Sequence, residues 1–170
     1  MLNKLIGYLI YGISPIKYAK WRGVKVGNNC FISTYKWSSE PYLITIGNNV
    51  QVTQDVWFHT HGGCHVARTE IRDFDVFGKI RVCDNVYIGS GSHIMPGVTI
   101  GEGSLIAAGS IVTKSVPARE VWGGNPARFI CNVDDYIKRN ANYNVGTYGL
   151  SFEDKKNTLL STDESKFIKK

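Results

Sequence analysis

The sequence predicts an all-β solenoid, in which short strands and tight turns wind into triangular coils, with a short helix before the coils and a helix and tail after them. Two observations carry this. From Val76 the chain reads VFGKIR, VCDNVY, IGSGSH, IMPGVT, IGEGSL, IAAGSI, VTKSVP, seven consecutive six-residue units without a gap. The 170 residues also include 18 glycines but only 5 prolines, a composition of turns rather than disorder, on a chain of one-domain length.

The heads of the seven units are Val76, Val82, Ile88, Ile94, Ile100, Ile106 and Val112, all β-branched. The fifth positions are Ile80, Val86, Ser92, Val98, Ser104, Ser110 and Val116, all small or β-branched. A period of six is neither helical nor simple strand alternation. It fits strands that each give one inward aliphatic residue, three units to a coil, with coils stacked so that these residues form ladders. Asn-Asn and Asp-Asn pairs and glycines between the strands suit corners that need unusual backbone angles.

Taken in order, residues 1–23 form an N-terminal helical segment. Its apolar stretch LIGYLIYGI, residues 5–13, is too short to span a bilayer and lacks a small-residue cleavage site. It reads as an amphipathic helix that packs on its own domain or a neighbouring subunit. Residues 24–130 are the solenoid. VGNNCF and ISTYKW begin it at Val26 and Ile32, and IGNNVQ and VTQDVW continue it from Ile46 and Val52. Between Ile32 and Ile46 the register slips by two residues, which places a small insertion at 38–45. Phe58 takes an inward position. Residues 63–75 form a larger loop before the pattern resumes at Val76. Residues 131–170 are a C-terminal helix and tail: VDDYIKRNAN, 133–142, suits a short helix with Asp134 and Asp135 near its positive end, and 143–170 form a cap or tail.

The formal charge of +6 favours acidic partners such as phosphates. Cys30, Cys64, Cys83 and Cys131 are scattered with no CxxC, as expected of free thiols in a reducing cytosol. No GxGxxG fingerprint or P-loop occurs, so NAD or ATP use is not suggested. The basic residues are not interleaved with aromatics as in a nucleic-acid site.

The units resemble the hexapeptide repeat of left-handed β-helix acyltransferases over roughly residues 24–130. IMPGVTIGEGSLIAAGSIVTKSVPAREVWGGNPARFI resembles the C-terminal signature of the branch with maltose and galactoside acetyltransferases and capsule or O-antigen acetyltransferases. VWFHTHGG followed by a loop and DFDVFGKI is most similar to the polysaccharide-locus members. The resemblance implies a left-handed parallel β-helix, acetyl-CoA as co-substrate and no metal. It also implies a homotrimer with sites between subunits and a cytoplasmic enzyme, with contact at the inner membrane face left open. The implied reaction is O-acetylation of a sugar of a surface polysaccharide or its precursor. N-acetylation of a nucleotide-linked amino sugar and a zinc lyase like the gamma-class carbonic anhydrases are the alternatives.

By the same resemblance His61 is the general base, although one residue that often separates the family's histidine from Gly-Gly is missing here. A histidine is suited to take a hydroxyl proton near neutral pH. His59 and His61, two apart, point to one side of a strand, which keeps zinc conceivable. The spacing of His59, His61, His65 and His93 nevertheless departs from that of the anhydrases, and no carboxylate or cysteine set completes a site. His59 and His65 are expected to be loop or substrate-contact residues, and His93, at the sixth position of its unit, a corner residue that is either a surface histidine or part of the acceptor site. Asp55, Asp73 and Asp75 are candidates to orient His61, and Asp73 and Asp75 could also line the acceptor site. Cys64 has only nearness in favour of a covalent role. For the cofactor, the resemblance places Ala108 and Thr113 against the pantetheine arm, with Ser90 one coil earlier. Lys114, Arg119 and Arg128 are placed near phosphates, and Asn125 in the turn by the adenine end.

Overall fold

The computed structural model describes residues 14–169 together with Ile6, Ile10 and Gly12. The amphipathic helix expected over 5–13 falls mostly outside them. Among the described residues no helix is long and apolar enough to cross a membrane. The chain divides into two units, Met1–Val133 and Asp134–Lys170.

The first unit opens with helix α1, Pro15–Arg22. Ser14 caps it by accepting from the Lys17 N–H, Pro15 begins it, and Gly23 ends it at φ 103. Ala19 and Val24 are buried at the open end of the coils.

Twelve short strands then wind through three sheets: β1 (Lys25–Val26), β2 (Phe31–Ile32), β3 (Lys36–Trp37), β4 (Ile44–Ile46), β5 (Gln51–Val52), β6 (Trp57–Phe58), β7 (Ile80–Val82), β8 (Tyr87–Ile88), β9 (His93–Ile94), β10 (Thr99–Ile100), β11 (Leu105–Ile106) and β12 (Ile111–Val112). Every third strand stacks in parallel: β1-β4-β7-β10 on one face, β2-β5-β8-β11 on the second, β3-β6-β9-β12 on the third. The expected ladders are inside. Val82, Ile88, Ile94, Ile100, Ile106 and Val112 are buried, as are the fifth-position residues from Ile80 to Val116. The corners turn through positive φ at Asn29, Asn49 and Asn85, and at Asp55 and Gly91. Two of the first set also join through their side chains, Asn49 donating to Asn85 at 2.7 Å, and Asn85 donates in turn to Glu102 at 3.3 Å.

Three details differ from expectation. Val76 does not enter the core; it is 54% exposed, and the coil resumes at Ile80. The loop is longer than its sequence pattern because an antiparallel bridge between His61 and Phe77 closes its neck. The insertion ends at Leu43 as a 3₁₀ turn, Pro41–Leu43, and Ile44 is already in β4 and buried. The two-residue slip is itself composite. Trp37 pairs with Phe58, so the path from Ile32 is one residue short of that from Val52, and the return to Ile46 is correspondingly long. Last, His93 is not at a corner; it begins β9 and faces outward in register with Trp57.

After Val116, strand β13 (Glu120–Gly124) stacks on β11, and β14 (Ala127–Asn132) returns antiparallel to it. The second unit comprises most of helix α2 (Val133–Asn140), a 3₁₀ turn at Ala141–Tyr143 and a helix over Phe152–Ser161. In the first turn of α2, Asp134 and Asp135 complement the dipole, as do Lys138 and Arg139 in the last.

Candidate active site

Along β6 and beyond, side chains alternate. Phe58 and Thr60 are buried, while Trp57, His59 and His61 face out. Strand geometry therefore delivers three aromatic groups to one side of the third sheet. Phe58 is anchored by stacking on Trp37, with ring centroids 4.8 Å apart.

His61 is half-exposed, and its Nδ1 lies 2.8 Å from Oε2 of Glu40, whose side chain is 17% exposed. Glu40 comes from the insertion. It is held by His61, Thr60 and Ser39. Thr60 Oγ1 is 2.6 Å from Glu40 Oε2 and 2.7 Å from Ser38 Oγ. Its single proton goes to the carboxylate, and the Ser38 hydroxyl supplies the other bond. Arg22, in the last turn of α1, donates to the Ser38 carbonyl at 3.1 Å, so the helix that closes the coil also fixes the base of the insertion. Chiefly the Thr60 bond, with the bond and charge of His61, holds the Glu40 carboxyl below its ordinary range against the upward push of burial.

An ionised Glu40 accepts from Nδ1–H, which leaves the lone pair on Nε2. Among the described residues Nε2 has no hydrogen-bond partner. The Phe77 ring, 5.6 Å away, walls the imidazole from the loop side. In that tautomer Nε2 could accept a proton at the edge of a coil.

None of the three aspartates proposed from sequence orients His61. Asp55 pairs with Lys36 at 2.7 Å, Asp75 pairs with Arg68, and Asp73 is exposed. The reason is topological: they are near His61 in sequence, whereas Glu40 is brought to it by the return of the preceding coil. The signal available was the insertion itself, whose single acid is Glu40.

His59 Nε2 lies 3.0 Å from His93 Nδ1. Burial, then the neighbouring His93 and His61, hold the His59 pKa below its ordinary value. His65 is exposed on a short helix, Cys64–Ala67. Cys64 is buried, and its sulfur accepts from the Val76 N–H at 3.2 Å; it pins the loop neck. Among the described residues, no group of three or more His, Cys, Asp or Glu side chains is arranged to hold a metal ion.

Ser90 and Ala108 are both exposed and stack on one corner, where Gly109 N–H donates to the Ser90 carbonyl at 2.8 Å. The coils lie close together here, since a Cβ on Gly89 would be 2.5 Å from the Ala108 nitrogen. Thr113 and Lys114 follow β12, the next strand of that coil, and are exposed. β13 continues the stack above Ala107, and its hairpin turns at the cis Asn125–Pro126 bond, leaving Asn125 and Arg128 exposed. Arg119 does not join this group. At φ 58 it occupies the corner stack of Asn29, Asn49 and Asn85, a different edge of the prism from Ser90 and Ala108.

A family model for the bacterial transferase hexapeptide (six repeats) matches residues 79–114. Protein CapG of Staphylococcus aureus is 45% identical over 146 residues, 82% of this chain and 83% of that protein. The maltose O-acetyltransferase of Clostridium difficile 630 is 26% identical and superposes with a TM-score of 0.62 over 77% of this chain and 84% of that one. A galactoside acetyltransferase in complex with coenzyme A is 29% identical, with a TM-score of 0.55 over 80% of this chain and 81% of that one. Repeats, three-sheet prism and relatives agree: the chain belongs to the hexapeptide-repeat acetyltransferase family, a left-handed parallel β-helix enzyme that takes its acetyl group from acetyl-CoA.

Proposed function

We propose that the chain is a sugar O-acetyltransferase, acting on a surface polysaccharide or its precursor, with His61 as general base and Glu40 as its positioning residue. The observation that carries this is the Glu40–His61 pair, which leaves Nε2 of His61 free to accept a proton. Similarity to maltose and galactoside acetyltransferases supports a sugar acceptor. The enzyme works as a homotrimer, with each site completed by a neighbouring subunit.

Acetyl-CoA and acceptor bind together. Nε2 of His61 takes the hydroxyl proton as the oxygen attacks the thioester carbon. A backbone N–H stabilises the oxyanion. The C–S bond then breaks, and His61 returns its proton to the thiolate. Glu40 keeps the Nδ1 proton in place and stabilises the transient imidazolium. The small side chains of Ser90 and Ala108, with Thr113, leave the corner backbone open to the pantetheine amides. Lys114 and Arg128 attract the phosphates, and Asn125 lies by the adenine. His59 contacts the acceptor, with His65 and Asp73 at its rim.

The test is acetyl-CoA-dependent thiol release with hydroxyl sugars and, separately, nucleotide-linked amino sugars, using wild type and His61→Ala. Release with a hydroxyl sugar that falls by about 10²–10⁴ in His61→Ala, with acetyl-CoA binding retained, is expected. Unchanged turnover in the variant removes His61 from the chemistry, and release only with amino sugars replaces O- by N-acetylation.

A further inference from the structure

We infer that His59 and His93 form one recognition element that reads two neighbouring hydroxyls of the acceptor, presenting to them one hydrogen-bond donor and one hydrogen-bond acceptor. This rests on the reading of the chain as a sugar O-acetyltransferase.

The two imidazoles come from successive coils. Their facing nitrogens are 3.0 Å apart, and their ring planes differ by only 5°. With ring centroids 5.2 Å apart, the bond runs edge to edge, in the common plane. Trp57 lies parallel to both rings, its centroid 6.0 Å from each. The ammonium of Lys36 sits 4.5 Å from the Trp57 ring centroid and is itself tied to Asp55 at 2.7 Å. One face of Trp57 is thus occupied by Lys36, and the indole stands beside the pair as a parallel aromatic neighbour. The pair sits on the same outward side as His61, by the alternation that buries Phe58 and Thr60.

The facing nitrogens can hold one proton between them. If His59 Nε2 carries it, His59 Nδ1 is a bare lone pair, and His93, accepting at Nδ1, carries its own proton on Nε2. If His93 Nδ1 carries it, both outer atoms exchange roles. Either way the neutral pair offers one N–H and one lone pair outward. Burial, then the neighbouring His93 and His61, disfavour the charged form of His59. Among the described residues neither outer nitrogen has a hydrogen-bond partner, and both rings are half-exposed.

This complement selects by chemistry. A carboxylate or phosphate offers acceptors alone, an ammonium donors alone, and each leaves one nitrogen mismatched. Two hydroxyls, each able to give and to accept, satisfy the pair in either tautomeric state. The unit therefore favours a neutral diol over a charged substituent.

The experiment uses the full-length protein with maltose, a methyl galactoside and their monodeoxy analogues. The variants are His93→Leu, which removes the pair, and His93→Asn, which keeps a polar partner for His59 but removes the outward nitrogen. In both, the acceptor KM is expected to rise about three- to tenfold, the loss of one neutral hydrogen bond. The kcat, the acetyl-CoA KM and the melting temperature should stay near wild type. The penalty that wild type shows for one of the deoxy sugars should shrink in both variants. An unchanged acceptor KM with unchanged deoxy discrimination overturns the inference, as does a fall in kcat at constant KM. A wild type that acetylates no sugar hydroxyl overturns the underlying reading and this inference with it.

Discussion

The Glu40 carboxylate meets the His61 imidazole at 2.8 Å although the two residues stand 21 apart in sequence. Neither belongs to a regular hexapeptide unit. Glu40 lies where the first coil is expanded, and His61 where the second coil opens into its loop. The pair is thus assembled from two interruptions of the repeat, stacked one on the other.

That stacking makes Glu40 separable from the scaffold. Glu40→Gln keeps the shape of the side chain but removes the charge that stabilises imidazolium and fixes the Nδ1 proton. The expected outcome is a fall in kcat on the order of 10²-fold with the acetyl-CoA KM unchanged. Steady-state kinetics of the folded variant check it, and wild-type kcat would leave Glu40 without a role in the reaction.

The acid limb of stability should respond to Thr60. The Glu40 carboxyl is held below its ordinary value, first by the Thr60 hydroxyl. A carboxyl with a depressed folded-state pKa contributes stability that is present above its unfolded pKa and lost as pH falls through the folded one. Thr60→Val removes the main depressing bond. Melting temperature should therefore be lower in the variant above the unfolded carboxyl pKa, and its acid-side loss should be smaller than in wild type, because the gap between folded and unfolded pKa has narrowed.

A second stability test separates the true ladder from its apparent first rung. Ile94, fully buried in β9, should cost about 2–5 kcal/mol on substitution by alanine. Val76→Ala, at the head of an equally regular unit but 54% exposed, should cost no more than about 0.5 kcal/mol. Denaturant unfolding of the two variants gives the comparison.

Gly89→Ala probes the close approach of the coils at the corner of Ser90 and Ala108. The new Cβ would sit 2.5 Å from the Ala108 nitrogen and 2.8 Å from its Cα, both backbone atoms that cannot swing away. The coils must part locally, at about 1–3 kcal/mol. Because Ala108 is proposed to line the pantetheine arm, the acetyl-CoA KM should rise while the acceptor KM does not. Calorimetry and the two KM values read both effects.

The period of six was legible because it is local. Each unit carries its own inward aliphatic residue and its own corner, so Val82 to Val112 could be placed in the core from spacing alone. Val76 fitted the same spacing and misled, since periodicity does not report that a bridge at Phe77 holds that segment in the loop. The assignment of His93 to a corner failed for a related reason. Six-residue spacing fixes which residue points inward but not where each strand begins.

What the sequence determined by itself is the coil, its core and the position of His61 at a break in the pattern, all properties of contiguous residues. The tertiary structure alone decided that Glu40 rather than Asp55, Asp73 or Asp75 orients His61, and that His59 pairs with His93. In a stacked solenoid a side chain's neighbours lie one coil away, and the number of residues in that coil depends on every short corner and insertion along it. One residue fewer after Ile32 and a longer return to Ile46 set the register that brings these partners together.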